Sequence, residues 1–246
     1  MKKFFLVLLV LFVVKSTYSQ SLQATADVGL WGGGSGYQGD MTQIDRLGSV
    51  GGAVGGFFRY NFNPRYAIRV SGMLGNVSGT GKFDDISWEF SKPVSDFSVV
   101  YEFNFWPYLI GSSKHNITTF LTLGFGVSTY ADATQLSGAI INGVYTPPVP
   151  DGSNRASSVA AFNIPLGFGF KFNVTKRLGM GAEFVLRKYF DDRLDNLNDP
   201  RAYTIEETGE VVGYTTALHN NDWTFHLGVF VCYQIFRADK NCALYD

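Results

Sequence analysis

Charged side chains recur inside the most apolar stretches of this chain, always on one of two alternating faces. Asp96 and Glu102, for example, share a face opposite Phe97, Val99 and Tyr101. A charge in contact with lipid costs roughly 2–4 kcal/mol at the centre of a bilayer, whereas charges enclosed in a narrow interior can pair with one another. The spacing predicts an interior ion-pair network formed by Asp27, Arg59, Arg69, Asp96, Glu102, Lys171, Glu183 and Arg187. Either this network seals the interior, or it lines a pore or ligand cavity.

The histidines give little support for catalysis. Of His115, His219 and His226, only His226 falls on a strand position expected to face the interior. His219 lies near Asp222 and Thr224, but a histidine close to an acid in a connecting segment is usually an ordinary polar residue. A barrel hydrolase needs a nucleophile, a base and an orienting group brought together at one rim. We therefore expect no enzyme activity and no cofactor.

An acidic segment between residues 190 and 221 supplies oxygen ligands at close spacing. Carboxylates of this density can bind Ca²⁺, although the order of ligands in an EF-hand and its turn glycine are absent. The calcium candidates are Asp191, Asp192, Asp195 and Asp199. A solvated acidic loop is the alternative, and it is the reading we prefer, so that no metal site is expected.

Two cysteines close the chain. Cys232 falls on an interior-facing strand position and Cys242 in the short segment 237–246. The residues between them are long enough to fold back, and an even number of cysteines in an exported protein is compatible with a disulfide. A Cys232–Cys242 bridge and two free thiols both remain open.

Strands must position these groups, because the hydrophobic period is two. In segment 223–236 the apolar face consists of every odd residue, from Trp223 and Phe225 to Ile235. One continuous apolar face with aromatic residues near its ends is typical of a strand that faces lipid. Seven further segments alternate in the same way, namely 22–32, 50–61, 66–76, 94–106, 117–130, 158–172 and 177–189.

The connections between these segments alternate in length. The short ones are 61–65, 107–116 and 173–177, and the long ones are 33–49, 77–93, 131–157 and 190–221. Short turns face the periplasm and long loops the exterior in outer-membrane barrels. The sequence therefore predicts an all-β fold, an eight-stranded antiparallel transmembrane up-and-down β-barrel with short periplasmic turns and long extracellular loops. A soluble β-sandwich is the alternative, but it would not send five or six apolar residues per strand to water.

The beginning of the chain indicates export. Lys2 and Lys3 precede an apolar run over 4–14 and the small residues near Ser19, which predicts a signal peptide at 1–19, a barrel at 20–236 and a periplasmic tail at 237–246. An uncleaved anchor helix is the alternative, but the apolar run is shorter than the ~20 residues that cross a bilayer. Cleavage removes three lysines and no acid, which leaves 17 basic and 21 acidic residues. That balance argues against a nucleic-acid partner. The expected location is the outer membrane with both termini in the periplasm.

Basic residues collect at the predicted periplasmic end. They are Arg65, Lys114, Lys176, Arg177, Arg237 and Lys240. Such a rim is suited to an acidic periplasmic partner or to anionic lipid headgroups. Ordinary solvated turn charges explain it equally well.

Several motifs occur together in one order along the chain. They are VGLWGGGSGYQGD at 28–40, FRYNFNPRYAIR at 58–69, EFNF at 102–105, PLGFGFK at 165–171, Glu183 with Arg187, and NDW at 221–223. With these motifs the chain resembles the PorG-type outer-membrane β-barrels of the type IX secretion system of Bacteroidota. The similarity runs over nearly all of the chain that follows the signal peptide.

This resemblance implies a non-enzymatic structural subunit of the secretion and gliding-associated machinery. Members of that family associate with the periplasmic ring of the PorK lipoprotein and PorN. The expected partners are therefore outer-membrane lipid and these ring proteins, with no small-molecule substrate. The alternative is a stand-alone small barrel that binds partners at the cell surface or acts as a minor channel.

Overall fold

The strands of the molecule are long and account for most of its ordered architecture. The computed structural model describes residues 24–38, 50–83, 86–132, 139–141, 144–146, 157–191, 194, 203–204, 211–212 and 222–237. The strands are β1 (Thr25–Gln38), β2 (Val50–Asn61), β3 (Tyr66–Phe83), β4 (Ile86–Asn104), β5 (Ile117–Asp132), β6 (Ala139–Ile141), β7 (Val144–Thr146), β8 (Ser157–Asn173), β9 (Leu178–Tyr189), β10 (Tyr203–Thr204), β11 (Val211–Val212) and β12 (Trp223–Arg237). The predicted signal peptide and residues 238–246 lie outside the described residues.

Eight of these strands close into a barrel. Each pairs with its neighbour along the chain in the order β1-β2-β3-β4-β5-β8-β9-β12, and β12 pairs antiparallel with β1. Closure pairs every strand with two neighbours within the barrel wall, so the wall has no free sheet edge. The structure confirms the predicted fold class, an eight-stranded antiparallel up-and-down barrel. The pairs β6–β7 and β10–β11 are short two-stranded sheets within the connections.

The outer face of the barrel is almost continuously apolar. Phe125 and Leu30 are 76% and 74% exposed, and every barrel strand except β9, whose outward side chains are half-buried, contributes further exposed aliphatic or aromatic side chains. An exposed apolar surface of this extent is far larger than a water-soluble monomer presents. Exposed aromatic residues concentrate at the end with the short connections, where they include Tyr60, Phe62, Tyr66, Tyr101, Phe105, Trp106, Phe172, Tyr233 and Phe236. This distribution is the one expected for a lipid-facing belt with an aromatic girdle at its boundary.

No helix among the described residues is long and apolar enough to cross a membrane.

The inner face combines polar groups with large aromatic rings. Phe57 and Phe230 pack edge to face with ring centroids 5.7 Å apart, and Phe120 lies 6.1 Å from Phe230. Glycines on neighbouring strands make room for the rings, since a Cβ on Gly181 would lie 2.5 Å from Phe230. The sequence pattern identified the interior mainly by its polar residues, and the structure shows that these aromatic rings pack there as well.

One predicted loop is wrong. The segment 77–93 was expected to be a long connection, but residues 76–83 of β3 pair with residues 86–93 of β4, from Asn76↔Pro93 to Phe83↔Ile86. The pairing of β3 with β2 ends at Gly75, and the pairing of β4 with β5 ends at Val94. These eight residue pairs therefore extend the hairpin by about 27 Å beyond the last residues that pair with β2 and β5. The segment was predicted to be a connection because it lies between two alternating segments, whereas its two halves pair with each other as a two-stranded ribbon.

Ala26 lies on the outer face with Val28 and Leu30, as the period of two predicts, although its side chain is buried. It pairs with Tyr60 on β2 and with Phe236 on β12, which are both exposed, so its burial does not place it in the lumen. The next pair of β1 with β12 is Asp27 with Gln234, which leaves one residue of β12 unpaired as a β-bulge.

Candidate functional site

Four of the predicted interior charges form one buried group near the end with the short connections, which we call the short-turn end. Arg59 Nε donates to Asp27 Oδ2 at 2.8 Å, and Arg59 Nη1 lies 3.4 Å from Glu102 Oε1. Lys171 Nζ contacts the same Glu102 oxygen. We call Asp27, Arg59, Glu102 and Lys171 the lower cluster. Two cations and two anions balance there, as buried charges require.

Strand order explains the lower cluster. Asp27 and Arg59 are direct partners in the pairing of β1 with β2. Glu102 lies on β4 and Lys171 on β8, which are separated by β5 in the barrel wall, so that their contact passes over β5 inside the lumen. Aromatic rings surround the cations: Lys171 Nζ lies 4.8 Å from the ring centroid of Tyr108 and 5.2 Å from that of Phe120. Cation–π contacts at these distances favour the charged form of the amine.

The other four predicted charges form two ion pairs further along the lumen, which we call the upper cluster. Arg69 Nη1 lies 2.6 Å from Glu183 Oε2, and Arg187 Nη1 lies 2.7 Å from Asp96 Oδ1. Asp96 Oδ2 also accepts hydrogen bonds from Ser128 Oγ at 2.7 Å and from Asn163 Nδ2 at 3.0 Å. The structure thus places all eight charges inside the barrel and joins them by five ion pairs, Arg59–Asp27, Arg59–Glu102, Lys171–Glu102, Arg69–Glu183 and Arg187–Asp96.

Little free space remains beside the upper cluster. A cavity of about 30 Å³ lies among Arg69, Glu183, Arg187, His226 and the ring of Trp31. One buried water requires about 10–15 Å³ on this measure, so the cavity has room for about two. Side chains therefore occupy most of the lumen at this level.

The end with the long connections, here the long-loop end, is closed by a second group of buried side chains. Tyr37 OH donates to Asp222 Oδ1 at 2.8 Å, and the backbone N–H of Leu194 donates to Asp222 Oδ2 at 3.0 Å. Tyr130 OH donates to Asp191 Oδ1 at 2.8 Å. An apolar cluster surrounds these bonds, formed by Tyr37, Val77, Val94, Tyr130, Val159, Ala161, Tyr189 and Leu194. Asp222 and the tyrosines at this mouth escaped the sequence prediction because their partners are distant in the chain.

The short-turn end is covered by residues 105–116, the connection between β4 and β5. Tyr108, Leu109 and Ile110 are buried beneath the barrel mouth. The Tyr108 backbone N–H donates to Pro64 O at 2.9 Å, and Asn173 Nδ2 donates to Leu109 O at 2.9 Å. Burial raises the pKa of the Tyr108 phenol above its ordinary value. The sequence indicated an ordinary short turn here, whereas the structure shows a segment that closes the mouth.

The predicted basic rim is largely present on the outside of this same end. Arg65, Lys114, Lys176, Arg177 and Arg237 are exposed, and Lys240 lies outside the described residues. The three short connections contain no aspartate or glutamate. Arg65 Nη1 donates to Phe105 O at 2.8 Å, and Arg177 Nη1 donates to Tyr233 OH at 3.3 Å. The bond to Tyr233 raises the pKa of Arg177, which keeps its charge at all physiological pH values.

The described histidines are not arranged as a catalytic group. His226 is buried, and its Nε2 lies 3.1 Å from Thr224 Oγ1. Its other ring nitrogen has no hydrogen-bond partner, so that no carboxylate orients the ring. His115 is exposed at the short-turn end, and His219 lies outside the described residues. The absence of enzyme activity remains a prediction.

The calcium and disulfide candidates are only partly described. Asp191 accepts the Tyr130 hydrogen bond, while Asp192, Asp195 and Asp199 lie outside the described residues. Within the described ranges, no group of three or more His, Cys, Asp or Glu is placed to hold a metal ion. The Cys232 thiol is buried and accepts a hydrogen bond from Arg59 Nη2 at 3.3 Å, and Cys242 lies outside the described residues.

Comparison with known proteins gives a family and a set of solved barrels. The model of a family described as "Domain of unknown function (DUF6089)" matches residues 2–244. No curated protein matches the chain significantly.

Three solved structures illustrate the similarity of fold. The outer membrane protein OprG of Pseudomonas aeruginosa is 11% identical, with a TM-score of 0.44 over 88% of this chain and 98% of that chain. Neisserial surface protein A is 9% identical, with a TM-score of 0.43 over 85% and 96%. The N-terminal β-barrel domain of OprF of Pseudomonas aeruginosa is 12% identical, with a TM-score of 0.40 over 86% and 100%. At identities this low the similarity concerns the fold only.

Proposed function

We propose that this chain, which belongs to the DUF6089 family, is a non-enzymatic structural barrel of the outer membrane. In this proposal the barrel docks on a periplasmic assembly. The resemblance to PorG-type barrels identifies this assembly with the PorK/PorN ring of the type IX secretion system. The observation that carries the proposal is the basic rim at the short-turn end, which is exposed beside an apolar belt. Both termini and the rim then face the periplasm.

The paired charges inside the lumen support a structural role. The Lys171–Glu102 pair ties β8 to β4 over the intervening β5, and the Arg69–Glu183 pair ties β3 to β9 across the lumen. Buried side chains also lie at both mouths. At the upper cluster the space between the side chains is about 30 Å³, which is too small for an aqueous path at that level. The contribution of such a barrel to a secretion machine is rigid anchoring in the membrane.

Charge complementarity supports the choice of surface. In the three short connections, the cations of the rim have no acidic neighbour. A partner on the periplasmic side would therefore meet a positive electrostatic potential. Arg65 and Arg177 are partly held by hydrogen bonds to the barrel, which reduces the conformational entropy that a partner must remove on binding. An acidic protein surface fits this rim.

Charge reversal tests the docking surface. We expect the triple variant Arg65→Glu, Lys176→Glu and Arg177→Glu to lose co-purification of the ring proteins, because an attractive rim becomes repulsive. The matched control carries Arg65→Lys, Lys176→Arg and Arg177→Lys, which keep every charge and should retain the ring proteins. Barrel assembly is followed by heat-dependent gel mobility of the folded form. Undiminished co-purification with the reversed triple variant contradicts docking through this rim.

The second candidate function is surface binding by a stand-alone barrel, and the β3–β4 ribbon favours it. The ribbon extends about 27 Å past the strands that flank it and offers backbone groups for strand addition. Deletion of the gene separates the two candidates. Loss of bulk type IX export supports the ring subunit, whereas normal export with altered adhesion supports surface binding.

A further inference from the structure

A cavity of about 610 Å³ lies on the outside of the barrel at the short-turn end, away from the lumen. Trp106, Lys114 and His115 line it on the side of the connection 105–116, and Ile117 and Phe170 line it on the side of the barrel wall. It therefore lies where the apolar belt meets the basic rim. Residues of both contribute to its lining.

The walls of this cavity are held by backbone hydrogen bonds. The Trp106 backbone N–H donates to Thr118 Oγ1 at 3.1 Å, and the carbonyl of His115 accepts from the Leu109 backbone N–H at 3.0 Å. The His115 backbone N–H donates to Ser112 Oγ at 3.2 Å. Because Leu109 is itself buried in the barrel mouth, the segment that carries Lys114 and His115 is anchored at both ends. The cavity is thus formed before any ligand binds.

The polar half of the cavity is suited to an anion. The Lys114 ammonium and the His115 imidazole are both exposed donors, and no carboxylate lines the cavity among the described residues. A lysine at a membrane boundary extends its charge toward the headgroups while its stem covers apolar surface. Basic pockets beside membrane-spanning segments recognise phosphate-bearing headgroups through this chemistry.

The apolar half distinguishes a lipid from a soluble anion. Ile117 and Phe170 are 59% and 48% exposed, and they continue the lipid-facing belt. Trp106 is 58% exposed at the boundary, the position that tryptophan favours at a membrane interface. A free phosphate ion would use none of these three side chains. A phospholipid would use all of them, with its acyl chains along the belt and its phosphate at the cations.

We propose that this cavity is a phospholipid site, in which Lys114 and His115 bind the headgroup phosphate and Ile117 and Phe170 seat the start of an acyl chain. The inference rests on the membrane insertion in the proposed function and not on docking to a ring. A lipid bound here would stiffen the connection 105–116, which covers the barrel mouth.

The test titrates the full chain in a neutral detergent with phosphatidylglycerol and follows the bound lipid by native mass spectrometry. The test variant is Lys114→Gln with His115→Gln. The matched control is Lys176→Gln with Arg177→Gln, which removes two cations of the same rim outside the cavity. Diacylglycerol, which lacks the phosphate, and glycerol 3-phosphate, which lacks the acyl chains, serve as ligand controls.

We expect saturable binding of one phosphatidylglycerol to the wild type and about five- to tenfold weaker binding to the test variant. The control variant should bind within twofold of the wild type, and neither ligand control should saturate.

Equal weakening in both variants, or equal affinity for diacylglycerol, overturns the site. Saturable glycerol 3-phosphate binding overturns the assignment to a lipid. A wild type that fails to insert into vesicles overturns the proposed function as well. Saturable lipid binding together with undiminished co-purification of the ring proteins by the reversed triple variant overturns only the docking.

Discussion

At the residue scale, the interior charges all fall on the inward face of their strands, and each pairs with a residue on another strand. Asp27 and Arg59 are neighbours in the barrel wall, so their pairing follows from adjacent strands. Arg69 and Glu183 are 114 residues apart and meet only because the barrel closes. Period two identified which side chains point inward, but it contains no information on which strands lie opposite one another.

Glu102 is the residue on which the lower cluster depends most, because it contacts both Arg59 and Lys171. We expect Glu102→Gln to lower the free energy of unfolding by about 3 kcal/mol, since two buried cations then share one remaining carboxylate. Urea unfolding in detergent micelles, followed by tryptophan fluorescence, measures the loss.

A second variant distinguishes charge imbalance from simple loss of packing. Glu102→Gln combined with Lys171→Met leaves Arg59 paired with Asp27 and no excess charge, so the double variant should be more stable than Glu102→Gln alone. Equal or lower stability of the double variant would show that charge balance is not the governing effect.

At the scale of the elements, the connections carry features that a strand pattern does not reveal. The segment 105–116 was expected to be a plain turn, yet it buries Tyr108, Leu109 and Ile110 and closes one mouth. The segment 77–93 was expected to be a loop, yet it continues a hairpin. The segment 105–116 finds its partners in other parts of the chain, at Pro64 and Asn173, whereas the two halves of 77–93 pair with each other.

Gly111 is required for the path of the covering segment. Its φ is +80°, and a Cβ there would lie 2.3 Å from the carbonyl oxygen of Lys176. We expect Gly111→Ala to destabilise the segment by about 1–3 kcal/mol. Limited proteolysis of the folded barrel should then cut within 105–116 faster than in the wild type.

Gly52→Ala is the matched control for this variant. Gly52 is exposed on β2, and a Cβ there would have nothing within 4 Å. Its cleavage rate should equal that of the wild type. Similar cleavage of wild type and Gly111→Ala would show that the segment tolerates a side chain at this position.

At the scale of the whole molecule, the exposed belt and the filled interior are inverted relative to a water-soluble protein. Many large apolar side chains lie outside, and the paired charges lie inside together with a few aromatic rings. This inversion is stable only where the surrounding medium is itself apolar. The aromatic girdle at the short-turn end then lies near one boundary of that medium.

Depth in the membrane can be tested on β5. Phe125 is 76% exposed near the middle of this strand, so Phe125→Arg should weaken folding into lipid vesicles by roughly 2–4 kcal/mol. Asn116→Arg, just before the strand, should have little effect because it lies at the boundary. Folded fractions are read from heat-dependent gel mobility across a urea series. Equal effects of the two variants, or improved solubility of Phe125→Arg without lipid, would argue for a water-soluble barrel.

The amino-acid sequence by itself determined the number of long barrel strands, the face of nearly every strand residue and the eight charges that lie inside. Those properties follow from a side-chain period of two and from the cost of exposing charge to lipid, both of which are local. Only the tertiary structure decided which charges pair, that 105–116 covers the mouth and that 77–93 is a ribbon. The ion pairs and the covering segment depend on closure and register, which bring distant strands into contact. The ribbon forms between the two halves of one segment, whose pairing the period of two did not reveal.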